Sequence, residues 1–349
     1  MIQTHSIFAL YLLITISFLS SPATAQDRWV QEFRNMMEIS QVVELESSPA
    51  HLYVLSEQEG LVVFRTHVDT LQWLYSSEGM QKRGHTLQAD IRFAYLYGDS
   101  RRLTIVEPTS VLGVYSSTVL PDTPRSVQRL GNNIYMALGD QGVGRLSLDS
   151  PESVDDDPEF IFPSLFENHR VLDLVSDQES TLFVLLDNGS LEVLERTGSG
   201  PELQHTQSYD LGLSLTRLFL TESELLVSNQ NGEIYYIGPD GSTTPAGTVN
   251  EPVDKLRLWH RQPVVRTESG KLWIGRSGNG LTAWKESAEA GNFFTIVDGQ
   301  LWISENNQLS PVLRIEPKPE ESTAEDFEGL VRGTGAPELR PIENVILPF

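Results

Sequence analysis

Apolar positions along this chain come in short runs closed by polar turns, and the runs recur. They read HLYVLSEQEG (51–60), FAYLYGDS (93–100), NIYMALGDQG (133–142), TLFVLLDNG (181–189), ELLVSNQNG (224–232), PVVRTESG (263–270) and QLWISENN (300–307). Their centres fall at Tyr53, Tyr95, Met136, Val184, Val227, Val265 and Ile303. Successive centres lie between 38 residues (Val227 to Val265) and 48 residues (Met136 to Val184) apart. A repeat of ~40–45 residues is the size of one four-stranded propeller blade.

Each run has neighbours of its own kind. A first strand precedes it: QVVELES, HTLQADIR, RSVQRLG, VLDLVSD, LTRLFLTES, DKLRLWH or NFFTIVDG. A third follows its turn, from GLVVFRTH through KLWIGRS to QLSPVLRIEP, and a fourth is visible in LQWLYSS, VLGVYSS, EFIFPSL, LQHTQSYD and LTAWKES. Short runs rich in Val, Leu, Ile, Tyr and Trp, punctuated by Gly, Asn and Asp, predict strands joined by hairpins. The pattern predicts an all-β fold, a seven-bladed β-propeller of four-stranded blades. The seventh copy lacks a fourth strand, and RWVQEFR (28–34) belongs to no blade. Letting this N-terminal strand close the last blade removes an open sheet edge. The aromatics Trp73, Tyr115, Phe160 and Trp284 fall on fourth strands, where they are expected to pack between blades.

The ends differ from the repeat. Residues 1–25 hold an apolar stretch from Ile7 to Ser21 followed by small residues at Ala23 and Ala25, the layout of a signal peptide. The propeller is expected over 26–317. A charged, proline-containing linker follows over 318–336, and an apolar strand of a further domain over 337–349.

Charge narrows the partners. The chain carries 25 Lys and Arg against 48 Asp and Glu, a net charge of −23. Nucleic acid is excluded as an expected partner, because its phosphates would be repelled. A protein or a small cationic ligand fits better. There is no cysteine, so thiolate chemistry and Cys-ligated zinc are excluded.

Candidate chemistry is sparse. GRSGNG (275–280) lacks the lysine of a phosphate-binding loop and is flanked by strands, so Asn279-Gly280 reads as a two-residue hairpin turn. The histidines at 5, 51, 67, 85, 169, 205 and 260 show no zinc spacing. Asp155-Asp156-Asp157 lacks the alternation and glycine of a calcium loop. One pattern remains. The turn after the second strand carries an acid in six of seven copies, Glu59, Asp99, Asp140, Asp187, Glu268 and Glu305, with Asn231 in the fifth. Asp and Asn form turns readily, but Glu does not, which leaves Glu59, Glu268 and Glu305 unexplained by turn chemistry. An acidic loop face is the candidate binding site, with Ca2+ the candidate cation and no cofactor expected. Val42, Val43, Leu172, Leu174, Leu218 and Leu220 make the first strands read as apolar, which argues against a polar site in the central channel.

S-G-K-L-W-I-G followed by G-N-G-L resembles the repeat of bacterial two-component-regulator propellers, as does D-G-Q-L-W-I-S at 298–304. The other copies are similar to secreted propellers of the LVIVD type. P-E-L-R-P-I at the start of 337–349 resembles the opening strand of cadherin-like and immunoglobulin-like modules of bacterial surface proteins. The resemblance implies an extracytoplasmic binding or interaction module, secreted, periplasmic or at the cell surface, and a monomeric domain within a longer protein. The alternatives are a propeller hydrolase or lyase with a central-channel site and the input domain of a sensor protein.

Overall fold

A computed structural model describes residues 39, 41–67, 70–98, 100–108, 114–150, 154, 157–198, 202–221, 224–260, 262–276, 280–283, 292–305 and 308–311. Within them the chain forms consecutive antiparallel sheets, each a simple meander. Blade 1 is β1 (Val42–Ser48), β2 (His51–Ser56), β3 (Gly60–His67) and β4 (Thr70–Ser77). Blade 2 is β5 (Thr86–Ala89), β6 (Ala94–Tyr97), β7 (Arg102–Val106) and β8 (Val114–Val119). Blade 3 is β9 (Val127–Leu130), β10 (Asn133–Ala137), β11 (Val143–Ser147) and β12 (Glu159–Ile161). Blade 4 is β13 (Val171–Ser176), β14 (Thr181–Leu186), β15 (Ser190–Arg196) and β16 (Leu203–Asp210). Blade 5 is β17 (Leu215–Leu220), β18 (Leu225–Asn229), β19 (Glu233–Ile237) and β20 (Thr243–Thr248). Blade 6 is β21 (Val253–Trp259), β22 (Gln262–Thr267), β23 (Leu272–Arg276) and β24 (Gly280–Ala283). A last sheet has three strands, β25 (Phe293–Val297), β26 (Gln300–Glu305) and β27 (Gln308–Pro311).

The expectation of seven four-stranded blades is therefore met in six sheets, and the last has three described strands. RWVQEFR (28–34), expected as its fourth, lies outside the described residues, as do the signal segment (1–25), the linker (318–336) and the final strand (337–349).

Alternation along each strand puts apolar side chains on both faces of every sheet, and the core is divided among the seams between sheets. Tyr53, Leu55 and Leu61 meet Leu87, Ala94 and Leu96 between blades 1 and 2. The same arrangement repeats around the ring, as where Leu130 and Tyr135 meet Leu174 and Val184 between blades 3 and 4. The last sheet is wedged between blades 6 and 1. Phe294, Leu301 and Ile303 pack on Trp259, Val264 and Ile274, while Val297, Trp302 and Leu309 pack on Leu45, Val54 and Phe64. The ring closes.

Three sequence expectations change. Gly280 pairs with Arg276 as the first residue of β24, so it is a strand residue rather than the second residue of a two-residue turn, and Asn279 lies outside the described residues. Tyr115 packs between blades against Phe93 as expected. Trp73 and Phe160, by contrast, are exposed, at 58% and 37%, and Trp284 lies outside the described residues.

Candidate functional site

The first strands of blades 1 to 6 surround a central channel of about 200 Å3. Its wall is not apolar. Val43 and Leu172 occupy bulges, where one residue is skipped in the pairing to the second strand, and the same skip recurs at Thr216 and Asp254. A bulge bends the strand and re-aims the following side chain. The residue after each skip is Glu44, Asp173, Arg217 or Lys255, and each lines the channel. Leu174, Leu218 and Leu220, read as apolar first-strand positions, also line the channel, with Leu174 and Leu218 packed between blades as well.

Most of these polar side chains are engaged as stitches between neighbouring blades. A first strand has an inner edge with no further strand to pair, so its backbone N–H groups need other acceptors. The Val127 amide donates to Gln88 Oε1 at 2.9 Å, Leu174 to Ser126 Oγ at 3.0 Å and Leu218 to Asp173 Oδ2 at 2.9 Å. Blades 2, 3, 4 and 5 are joined in this way. Burial pushes the Asp173 carboxyl above its ordinary range, although Arg217 and two backbone amides favour its charge.

Two ionic groups complete the wall. Arg129 Nε lies 2.7 Å from Asp90 Oδ2, which also accepts the Tyr95 hydroxyl at 2.5 Å. Between blades 6 and 1, Arg266 donates to both oxygens of Glu44 at 3.1 and 2.6 Å, and Lys255 Nζ lies 3.0 Å from Glu46 Oε2. Burial alone would raise Glu46, but Lys255 and Arg257 outweigh it and hold the carboxyl below its usual range. Arg217 is the exception, with an ion pair of 3.7 Å to Asp254 Oδ1.

The acidic turns lie at the end of the ring where the blades are joined. In an antiparallel meander the turn from second to third strand shares that face with the loops between sheets. Asp140 pairs with Arg170 at 3.2 Å, and Asp187 lies 3.7 Å from His169. Glu268 is exposed, and Glu59 and Glu305 are half-buried. Asp99 lies outside the described residues. Among the described residues no group of three or more His, Asp or Glu side chains is arranged to hold a metal ion.

The channel's charges were missed because runs such as VVELES, VLDLVS, LTRLFL and VDKLRLW were read by their apolar members. The signal was available: a charged residue stands two positions after the first apolar residue of each skip.

No family model matches the chain, and no curated protein matches it. Solved structures do. The β-propeller domain of Myceliophteria thermophila Cps50 (Swd1) aligns with a TM-score of 0.58 at 14% identity, covering 78% of this chain and 96% of that one. The fold is a β-propeller. The WD40 propeller domain of Doa1 aligns at 0.52 and 11% identity, covering 78% of this chain and 92% of that one. PorZ of Porphyromonas gingivalis, an essential bacterial surface component of the type-IX secretion system, aligns at 0.51 and 13% identity. That match covers 78% of this chain and 37% of PorZ. At these identities the likeness shows the propeller fold alone, a fold compatible with a protein-interaction module.

Proposed function

We propose that this propeller is an extracytoplasmic binding module whose loop face receives a protein or a small cationic ligand. The observation that carries the reading is that the channel's charged side chains are mostly committed to one another and to neighbouring backbone, whereas Glu268 stands exposed on the loop face with no ion pair among the described residues. A net charge of −23 favours a basic partner over an acidic one. Secretion, to the periplasm, the medium or the cell surface, rests on the signal-like segment 1–25. PorZ, described as a surface component, is a propeller-containing neighbour of that setting. Calorimetric titration with Ca2+ and with a lysine-rich peptide tests the reading. Saturable heat that falls on Glu59→Gln/Glu268→Gln supports it, and no heat with either ligand overturns it.

The ring is read as seven-bladed, with residues 28–34 as the fourth strand of the last blade. Ile39, just after that segment, is buried against Trp302 and Leu309 of the last sheet.

A hydrolase or lyase site in the channel is the second reading. Asp173, buried with a raised pKa beside Arg217, favours it. Turnover that is lost in Asp173→Asn while the fold persists is the outcome it requires.

A further inference from the structure

Blades 6 and 1 are not neighbours in the ring, because the three-stranded sheet stands between them. On the channel side they nevertheless touch directly. Arg266 of β22 holds Glu44 of β1 through both guanidinium N–H arms, and its Nε also donates to Asp254 Oδ2 at 2.7 Å. Lys255 of β21 donates to the Leu45 carbonyl at 2.5 Å and reaches both Glu44 and Glu46. Arg257 adds a contact to Glu46 at 3.1 Å. Glu44, Glu46, Lys255 and Arg266 are all at least nine-tenths buried.

The three-stranded sheet lies behind these contacts. The Arg266 guanidinium sits 4.6 Å from the centroid of the Phe293 ring, and Lys255 Nζ 5.8 Å from that of Phe294. Cations above aromatic faces are favourable, so β25 presents rings to the clasp instead of polar groups to the channel. Among the described residues the channel is walled by blades 1 to 6, with none from β25, β26 or β27.

We propose that this ionic clasp is the lock of the ring: it joins blade 6 to blade 1 over the inner strand of the last sheet, so that closure at the channel is independent of that sheet's outer edge. Removing carboxylates from a buried network leaves cations without partners, which is strongly unfavourable. The loss would open one seam rather than loosen every blade alike.

Hydrogen exchange on the full chain tests this. Glu44→Gln/Glu46→Gln is expected to raise exchange at least tenfold in β1, β21 and β25 and to leave β14 and β15 unchanged. Ser47 Oγ and Thr295 Oγ1 lie 2.8 Å apart across the seam, in a chain without cysteine. A disulfide from Ser47→Cys/Thr295→Cys, confirmed by mass, joins β1 to β25 but not to blade 6, so in the carboxylate variant it is expected to leave exchange in β21 raised. If the double variant does not fold, Glu46→Gln alone is read in the same way. Unchanged exchange, an equal rise in all blades, or slow exchange restored in β21 by the disulfide would each overturn the proposal.

Discussion

His51 shows how a single side chain makes this ring sensitive to acid. It opens β2 with both ring nitrogens buried and without hydrogen-bond partners, and its ring centroid is 6.0 Å from that of Tyr53. Burial, reinforced by Arg65, holds its pKa below the ordinary 6.5. The neutral form is therefore favoured in the folded state, and the unfolded chain binds the proton first as pH falls. Stability is full above about pH 6.5 and declines below it, through the lowered folded value. Urea titrations at pH 7.5 and 5.5 are expected to show a smaller loss in His51→Phe than in the parent, and equal losses would remove His51 as the cause. A hydrophobic pattern cannot reveal this, because a histidine at a strand start reads as solvated until its neighbours are known. The same limit hid Glu44, Asp173 and Arg217, whose roles depend on a bulge that pairing, not composition, creates.

At the scale of the element, the repeat itself was the most legible feature. The first, second and third strands of every copy lie where the runs predicted them, and PVVRTESG supplies the second strand of blade 6. The glycine ending several runs has a physical reason. Gly60 and Gly232 take φ of 77° each, and a Cβ at either would overlap the carbonyl oxygen of Ser77, at the end of β4, or of Glu251, in the loop to blade 6. The glycine thus lets the turn and the connecting loop pack closely. Gly232→Ala is expected to cost about 2 kcal/mol or more from backbone strain and overlap, measured as a shift in urea midpoint at constant slope. A neutral result would mean the loop moves freely. Fourth strands were harder to place, since TTPAGT of β20 has few apolar residues, and EFIFPSL contains only the three residues of β12 before the chain enters a short helical turn at Pro163–Phe166.

For the whole molecule, what closes the ring is distinct from what the ring presents. The outer strand β27 has no described partner beyond β26, and an unpaired edge invites association. Deleting residues 26–38 is expected to leave β-rich circular dichroism intact but produce concentration-dependent dimers in size-exclusion chromatography. A monomeric deletion variant would count against residues 28–34 as the closing strand. The binding role is where sequence reading was thinnest. It located the acidic turns, but only the folded chain reveals that Asp140 and Asp187 are met by Arg170 and His169, leaving Glu59 and Glu268 as the carboxylates to test.

The most direct measurement compares binding of one lysine-rich peptide by the parent, by Glu59→Gln/Glu268→Gln and by Asp173→Asn under identical salt. At least tenfold weaker binding is expected in the loop-face variant, with unchanged affinity in Asp173→Asn. Affinity that survives the loop-face changes but is lost in Asp173→Asn would contradict a loop-face site and move it into the channel.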